Sequence, residues 1–279
     1  MPDPVRPKPG RAPLRMEVVR SERLTPHMQR IVLGGPAFDE FPERTNAHTD
    51  KYVKLTFVHP DVAYDEPMDV EQLRATLPQD LWPVVRTYTV RAVDVAAREL
   101  TIDFVVHGDE GVAGPWAAQA QPGDVLHLAG PGGAYSPRAD ADWHLLIGDE
   151  AALPAIGSAL ESLPAGGRAR AFIEVGGPAE VQSIDSAGDV EITWLHRNGA
   201  GAGTTDLLAD AVRAMEWPAG TVQVFMHGEA GLLKSLRSFL LEERGADRSL
   251  ASISGYWRSG NTEEGFRSWK SEQSQAASA

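Results

Sequence analysis

Two runs decide how the chain is read: Arg86-Thr87-Tyr88-Thr89-Val90-Arg91 and, beyond a polar stretch at 92–99, Asp103-Phe104-Val105-Val106-His107-Gly108. The first is β-branched and aromatic, which suits a strand. The second closes the alternating run Leu100-Thr101-Ile102-Asp103-Phe104-Val105-Val106, so the pair predicts an antiparallel hairpin. A strand-borne Arg-x-Tyr-Thr can grip a phosphate with its guanidinium and offer a phenol face for stacking. Its hydroxyl and backbone amides can reach a ring nitrogen. That set suits a flavin. Tyr and Thr are also ordinary strand residues and arginines often line a solvated face, so the rest of the chain must decide.

At 279 residues the chain is long enough for two domains with their own cores. Acidic residues outnumber basic ones 39 to 26, a formal charge of −13. Such a surface repels nucleic acid and anionic membranes, so a nucleic-acid partner and membrane insertion are not expected. The chain has no cysteine, which excludes disulfides, iron–sulfur clusters and thiolate zinc sites. Electron transfer would need an organic cofactor. The first fifteen residues hold four basic residues and five prolines but no apolar core segment. They lack the apolar region of a signal peptide, and no run reaches transmembrane length. Residues 1–14 read as a disordered tail and the protein as cytoplasmic.

From Arg15 to Gly133 the texture is short strands punctuated by turns. Arg15–Val19, His27–Leu33, Lys51–Val58, the central hairpin and Val125–Ala129 are the strands. A short helix is expected before Leu77 and another over Val112–Ala120. Six strands without a long amphipathic helix predict an antiparallel barrel over 15–137.

Past Ala139 the pattern changes. Trp143-His144-Leu145-Leu146-Ile147-Gly148 is almost wholly apolar, as a parallel strand buried on both faces should be. A helix carrying Ala155, Ile156, Ala159, Leu160 and Leu163 follows it. Strands at Arg170–Gly176, Glu191–Leu195, Thr221–Met226 and Leu250–Gly255 alternate with helices at 205–215, capped by Thr204 or Thr205, and 231–244. A last helix is expected over 263–273, and residues 271–279 as a loose tail. This predicts an open, mostly parallel α/β domain over 138–270, with a ligand held in the cleft between the two domains.

Three turns could serve that cleft. His107 to Ala113 joins a strand to a helix, and its glycines permit close approach of a diphosphate; it also reads as an acidic turn. Gly148-Asp149-Glu150-Ala151 lies just past the carboxyl end of the first parallel strand, where nucleotides bind. It is not Gly-x-Gly-x-x-Gly, and its carboxylates could simply cap the helix. Met226-His227-Gly228-Glu229 repeats the arrangement, either as a catalytic pair or as a turn with a capping carboxylate. Tyr256-Trp257-Arg258 ends the last strand at the same edge, where aromatics could cover a flavin and an arginine bind an anion. The eight histidines show no metal-ligand spacing, and no metal site is expected.

Taken in order, these stretches, with Gly111 to Trp116, Pro122-Gly123-Asp124, Gly130-Pro131-Gly132-Gly133, Gly148 to Ile156 and Gly255 to Gly260, resemble the siderophore-interacting proteins. These are FAD-dependent ferric-siderophore reductases of the ferredoxin–NADP reductase superfamily. The resemblance implies that Arg86 holds the FAD diphosphate, Tyr88 stacks on the isoalloxazine and Thr89 lies near its reactive nitrogen, Tyr88 and Thr89 being the catalytic pair. Thr87, Val90, Val106, His107, Gly111, Val112 and Ala113 would complete the flavin site, with Trp116 supporting the loop and Trp257 covering it. NADH or NADPH would pass Gly148, Asp149, Glu150, Ala151, Gly228 and Glu229.

An anionic ferric siderophore meeting a net negative protein needs a local basic patch, for which Lys51, Lys54 and Arg258 are the candidates. Lys51 and Lys54, three apart on a strand, point to opposite faces, and Lys54 is preferred. The resulting expectation is an NAD(P)H-dependent ferric-siderophore reductase, acting as a monomer. A flavin-containing siderophore-binding protein reduced by ferredoxin, a general NAD(P)H–flavin reductase and a flavin-free nucleotide-binding scaffold stand as alternatives. His196-Arg197 could meet a 2′-phosphate or form an exposed basic loop.

Overall fold

A computed structural model describes residues 12–44, 47–108, 111–261, 265, 266 and 269. Strands β1 (Leu14–Thr25), β2 (Met28–Gly34), β3 (Tyr52–Phe57), β4 (Val84–Asp94), β5 (Glu99–Val105) and β6 (Val125–Gly132) close into a barrel in the order β1-β2-β5-β4-β3-β6. Every pairing in it is antiparallel. Alternation drives the closure. In β3, Val53 and Leu55 are fully buried while Tyr52 and Lys54 face outward, as a period of two requires. The inward side chains of all six strands form one core with Phe38, Phe41, Ala113 and Ala117. Closure leaves no free sheet edge.

Three short helices decorate the barrel: α1 (Glu40–Arg44), α2 (Val70–Thr76) and α3 (Ala113–Gln119). Asp69 caps α2 by accepting from the Glu71 and Gln72 amides at 3.0 Å each. β1 runs beyond the expected Val19 to Thr25, because bulges at Val18/Arg20 and Arg23/Thr25 let its polar second half stay paired with β2.

The second half forms β7 (Trp143–Asp149), β8 (Arg168–Val175), β9 (Asp189–His196), β10 (Val222–Glu229) and β11 (Ala251–Trp257), five parallel strands in the order β11-β10-β7-β8-β9. β7 and β10, at the centre, are buried at every position, which is why β7 reads as an almost continuous apolar run. Helices α4 (Leu153–Glu161), α5 (Leu207–Ala214) and α6 (Ala230–Ser238) connect them. α6 passes into one wide turn over Phe239–Glu243 rather than running on as a single helix. Neither Thr204 nor Thr205 caps α5. Asp206 occupies that position, Thr204 bonds the Gly201 carbonyl, and Thr205 donates to the buried Glu174 at 2.8 Å. Tyr256 and Trp257 belong to β11 itself. The final helix expected over 263–273 and the tail at 1–11 lie largely outside the described residues.

The chain leaves β7 towards β8 and β9, then returns to the other side of β7 as β10 and β11. The topological switch point, where open α/β sheets bind ligands, therefore lies between the carboxyl ends of β7 and β10. Hydrogen bonds on two flanks join sheet to barrel. Arg91 of β4 reaches Glu161 of α4 at 2.6 Å, and the Ser158 hydroxyl donates to the Arg91 carbonyl at 2.7 Å. On the other flank Glu180 accepts from the Thr25 hydroxyl at 2.5 Å and the His27 amide at 3.2 Å.

Candidate flavin and substrate cleft

The register of β4 places the site. β4 pairs with β5 only over Val90–Asp94, and the ladder of Val84–Thr89 is with β3 alone. β5, from Asp103 onward, pairs with β2. The two strands of the central hairpin thus splay apart at Arg86–Thr89, and an aromatic wall stands in the opening. Tyr88 packs on Phe104 with ring centroids 4.3 Å apart, and Trp116 contacts Phe104 at 5.8 Å and Phe57 at 5.5 Å. Asp103 holds the base of the splay. Its buried carboxylate takes a bidentate pair from Arg30 at 2.7 and 2.8 Å, with Arg91 at 3.9 Å.

The residues around the splay fit a flavin in their chemistry. Arg86, Thr87, Tyr88 and Thr89 lie together on the diverging half of β4. Gly108 and Gly111, at positive φ (56° and 79°), have no atom within 4 Å of where a Cβ would stand, so a flat polar group can approach this backbone closely. His107 is exposed, Val112 precedes α3, and Ala113 is buried against the barrel. Val90 and Val106 anchor this backbone. Their amides donate to the Lys51 and His27 carbonyls at 2.7 and 2.9 Å, and both side chains are buried.

Thr89 faces the second domain. Its side chain lies close enough to the Tyr256 phenol of β11 to bear on that phenol's ionisation. Burial foremost, then the Asp50 charge, pushes that phenol well above its ordinary range, so it stays a neutral donor. Tyr256 rests on His227, centroids 4.8 Å apart, which stacks on Phe225 at 4.1 Å. Residues of β4, β10 and β11 therefore meet in one cleft. Sequence reasoning chose Trp257 as the aromatic cover, yet its indole donates to Asp149 at 2.7 Å, just past an irregularity in the pairing of β10 with β11. The aromatic beside Thr89 is its neighbour.

At the switch point the carboxylates are used internally. Asp149 accepts from the Ala151 amide at 2.9 Å, the Glu229 amide at 2.9 Å and Trp257, tying β7, β10 and β11 together. Burial raises its carboxyl to about 6 although these donors oppose the shift. Neither Asp149 nor Glu150 caps α4, whose N-cap residue is Ala152 without a side-chain bond. Glu150 instead pairs with Arg197, which also reaches Glu174 at 3.4 Å. Arg197 is 8% exposed, so the 196–197 segment is not the exposed basic loop considered from the sequence. Glu229 does cap its helix, accepting from the Leu232 amide at 3.0 Å. Gly148 is required by packing, since a Cβ there would stand 2.5 Å from Ala152 Cβ and 2.7 Å from the His227 carbonyl oxygen. At Gly228, φ is 138° and a Cβ would strike Asp149.

The basic candidates do not converge. Lys54 is exposed on the outer face of β3, paired with Thr87. Lys51 bonds the His48 carbonyl and lines a cavity of about 340 Å³ with Arg91 and Ser158, its ammonium pKa lowered by desolvation. Arg258 lies over the Trp269 ring at 4.5 Å. Among the described residues no group of side chains could hold a metal ion, and no helix is long and apolar enough to cross a membrane.

Comparison with known proteins agrees with this architecture. The family model of the siderophore-interacting FAD-binding domain matches residues 17–135, and that of the siderophore-interacting protein matches residues 141–260. The chain is 32% identical to the ferric vibriobactin reductase ViuB of Vibrio cholerae over 256 residues, 91% of this chain and 92% of that protein. It is 34% identical to an NADPH-dependent ferric-chelate reductase of Escherichia coli over 247 residues, 87% of this chain and 91% of that protein. A siderophore utilization protein from T. fusca superposes with a TM-score of 0.76 at 44% identity, covering 89% of this chain and 93% of that one. With its splayed barrel hairpin facing a five-stranded parallel sheet, the chain belongs to the siderophore-interacting protein family, flavin-dependent oxidoreductases with the ferredoxin–NADP reductase fold.

Proposed function

We propose that this protein is an NAD(P)H-dependent ferric-siderophore reductase that releases iron in the cytoplasm as Fe(II). The observation that carries the reading is the proximity of Thr89 to Tyr256, which rests on His227 of β10 and so brings the diverging half of β4 beside the sheet's switch point. A flavin held by β4 there faces the crevice from which a nicotinamide would approach. Bound FAD supplies the chemistry that links a two-electron hydride donor to a one-electron metal acceptor.

The chain's own residues bind, orient and exclude water. Arg86 is the cation for the diphosphate. Tyr88, backed by Phe104, gives a fixed aromatic face, and Thr89 holds a hydroxyl at the domain junction. The Tyr256 phenol covers that hydroxyl from the sheet side and keeps water away. No side chain need donate or accept a proton on the substrate, because reduction of Fe(III) transfers charge only. Hard oxygen donors hold Fe(II) less tightly than Fe(III), so the reduced ion leaves. The reading is supported by the named activities of the Vibrio cholerae and Escherichia coli relatives.

The crowding of Asp149, Glu150, Glu174 and Glu229 at the switch point, with Arg197 neutralised among them, favours a second reading of the donor alone. In it a ferredoxin replaces the nicotinamide. The test follows iron. The FAD-loaded protein is mixed with a ferric siderophore and a ferrous trap, and NADH, NADPH or a reduced ferredoxin is supplied in turn. Trapped Fe(II) appearing with a nicotinamide supports the proposal. Fe(II) with ferredoxin only moves the donor role to that partner, and none with any donor refutes the reductase reading.

A further inference from the structure

Tyr52 is among the few large apolar side chains left exposed, at 41% of its surface. In the ladder it stands directly opposite Thr89 on one side and Gly132 on the other. A Cβ on Gly132 would fall on the phenol end of the Tyr52 ring, so the ring rests against bare backbone at the edge of the cleft. Lys54, two residues on, shares the outward face. Tyr52 is also near enough to bear electrostatically on Tyr256.

We propose that Tyr52 is a specificity-determining residue that selects ferric chelates bearing aryl groups, its ring serving as the platform on which a catechol or phenolate arm stacks. The inference rests on the reductase reading above and names the substrate class of that same site. A flat exposed ring beside the flavin residues recognises another ring face to face or offset. A trihydroxamate chelate presents aliphatic spacers and no ring, and gains little from it. Lys54 on the same face offsets the negative charge of a ferric catecholate in an otherwise acidic protein. Gly132 keeps the platform in place, because any side chain there would lift the ring away.

The test uses the full-length, FAD-loaded protein and whichever donor reduces it. Reduction of the ferric complex of 2,3-dihydroxybenzoylglycine is compared with that of a ferric linear trihydroxamate, by kcat/KM with a ferrous trap. Tyr52→Ala removes the ring. Gly132→Ala, at a residue outside the left-handed region, displaces the ring without deleting it. Tyr52→Phe retains it. Both alanine variants should lower the catecholate-to-hydroxamate ratio by about 3- to 10-fold, the effect of one stacked ring pair, while Tyr52→Phe stays within about twofold of wild type. Flavin bleaching by the donor reports that each variant is loaded and folded. An unchanged ratio in the bleaching-competent variants, or an equal loss on both chelates, overturns the inference and leaves the reductase reading standing. A wild-type protein that bleaches yet reduces neither chelate refutes the reductase reading and this inference with it.

Discussion

Replacing Asp149 by asparagine tests whether the switch point is held by an ionisable carboxyl. The native group accepts three N–H donors, from Ala151, Glu229 and Trp257, and is buried. An asparagine can keep its oxygen on one side only, so its NH2 group meets N–H donors. Each donor left unpaired in such a site costs about 1–3 kcal/mol. Opposing this, asparagine cannot ionise. Folding raises the Asp149 carboxyl from 3.8 to about 6, so the wild type is favoured by this group below its unfolded value and loses that advantage as pH rises through 6. The full loss is about 3 kcal/mol, of which roughly half falls between pH 5 and pH 7.5. Urea unfolding of both proteins at these two pH values, with flavin in excess, measures the gap. The variant should be less stable at pH 5, and its deficit should shrink by about 1 kcal/mol at pH 7.5. A deficit that is constant, or larger at pH 7.5, refutes the reasoning.

Three further outcomes follow from the same contacts. Arg30→Ala leaves the buried Asp103 with only the more distant Arg91 and should cost about 3–5 kcal/mol by urea titration; a cost below 1 kcal/mol contradicts the role given to that pair. Burial alone would raise the Glu180 carboxyl, but hydrogen bonds from Thr25 and His27 together hold it below its ordinary value. Its contribution is therefore full above the ordinary carboxylate range and lost as pH falls through the folded value, so Glu180→Ala should be most destabilising near neutrality and least in acid. Gly148→Ala, with its Cβ set against Ala152 and the His227 carbonyl, should lower stability by about 1–3 kcal/mol in thermal melts.

Period and composition carried much of the architecture. The β-branched run at 86–91 announces the hairpin, and the almost wholly apolar 143–148 announces a strand buried on both faces, because burial is written in the spacing of apolar residues. The splay of β4 from β5 is not legible, since it depends on where each strand changes partner. Similar limits hid the partners of the site. Tyr256 and Trp257 are legible as an aromatic pair at a strand end, but which of them meets Thr89 is set by the pairing irregularity of β11 and by how that strand faces the barrel. Glu180 lies 153 residues from His27, and nothing local marks it as a junction residue. Arg197 reads as a surface cation until β7 and β8 bring Glu150 and Glu174 to it. Long-range placement, rather than local propensity, decided each of these.

The central claim is a flavin that passes electrons from a nicotinamide to ferric siderophore, and the anaerobic absorbance spectrum tests it most directly. The purified protein should be yellow, bleach on adding NADH or NADPH, and regain its colour when a ferric siderophore is added as Fe(II) appears. A protein that binds no flavin, or whose reduced flavin keeps its electrons in the presence of the chelate, would contradict the account.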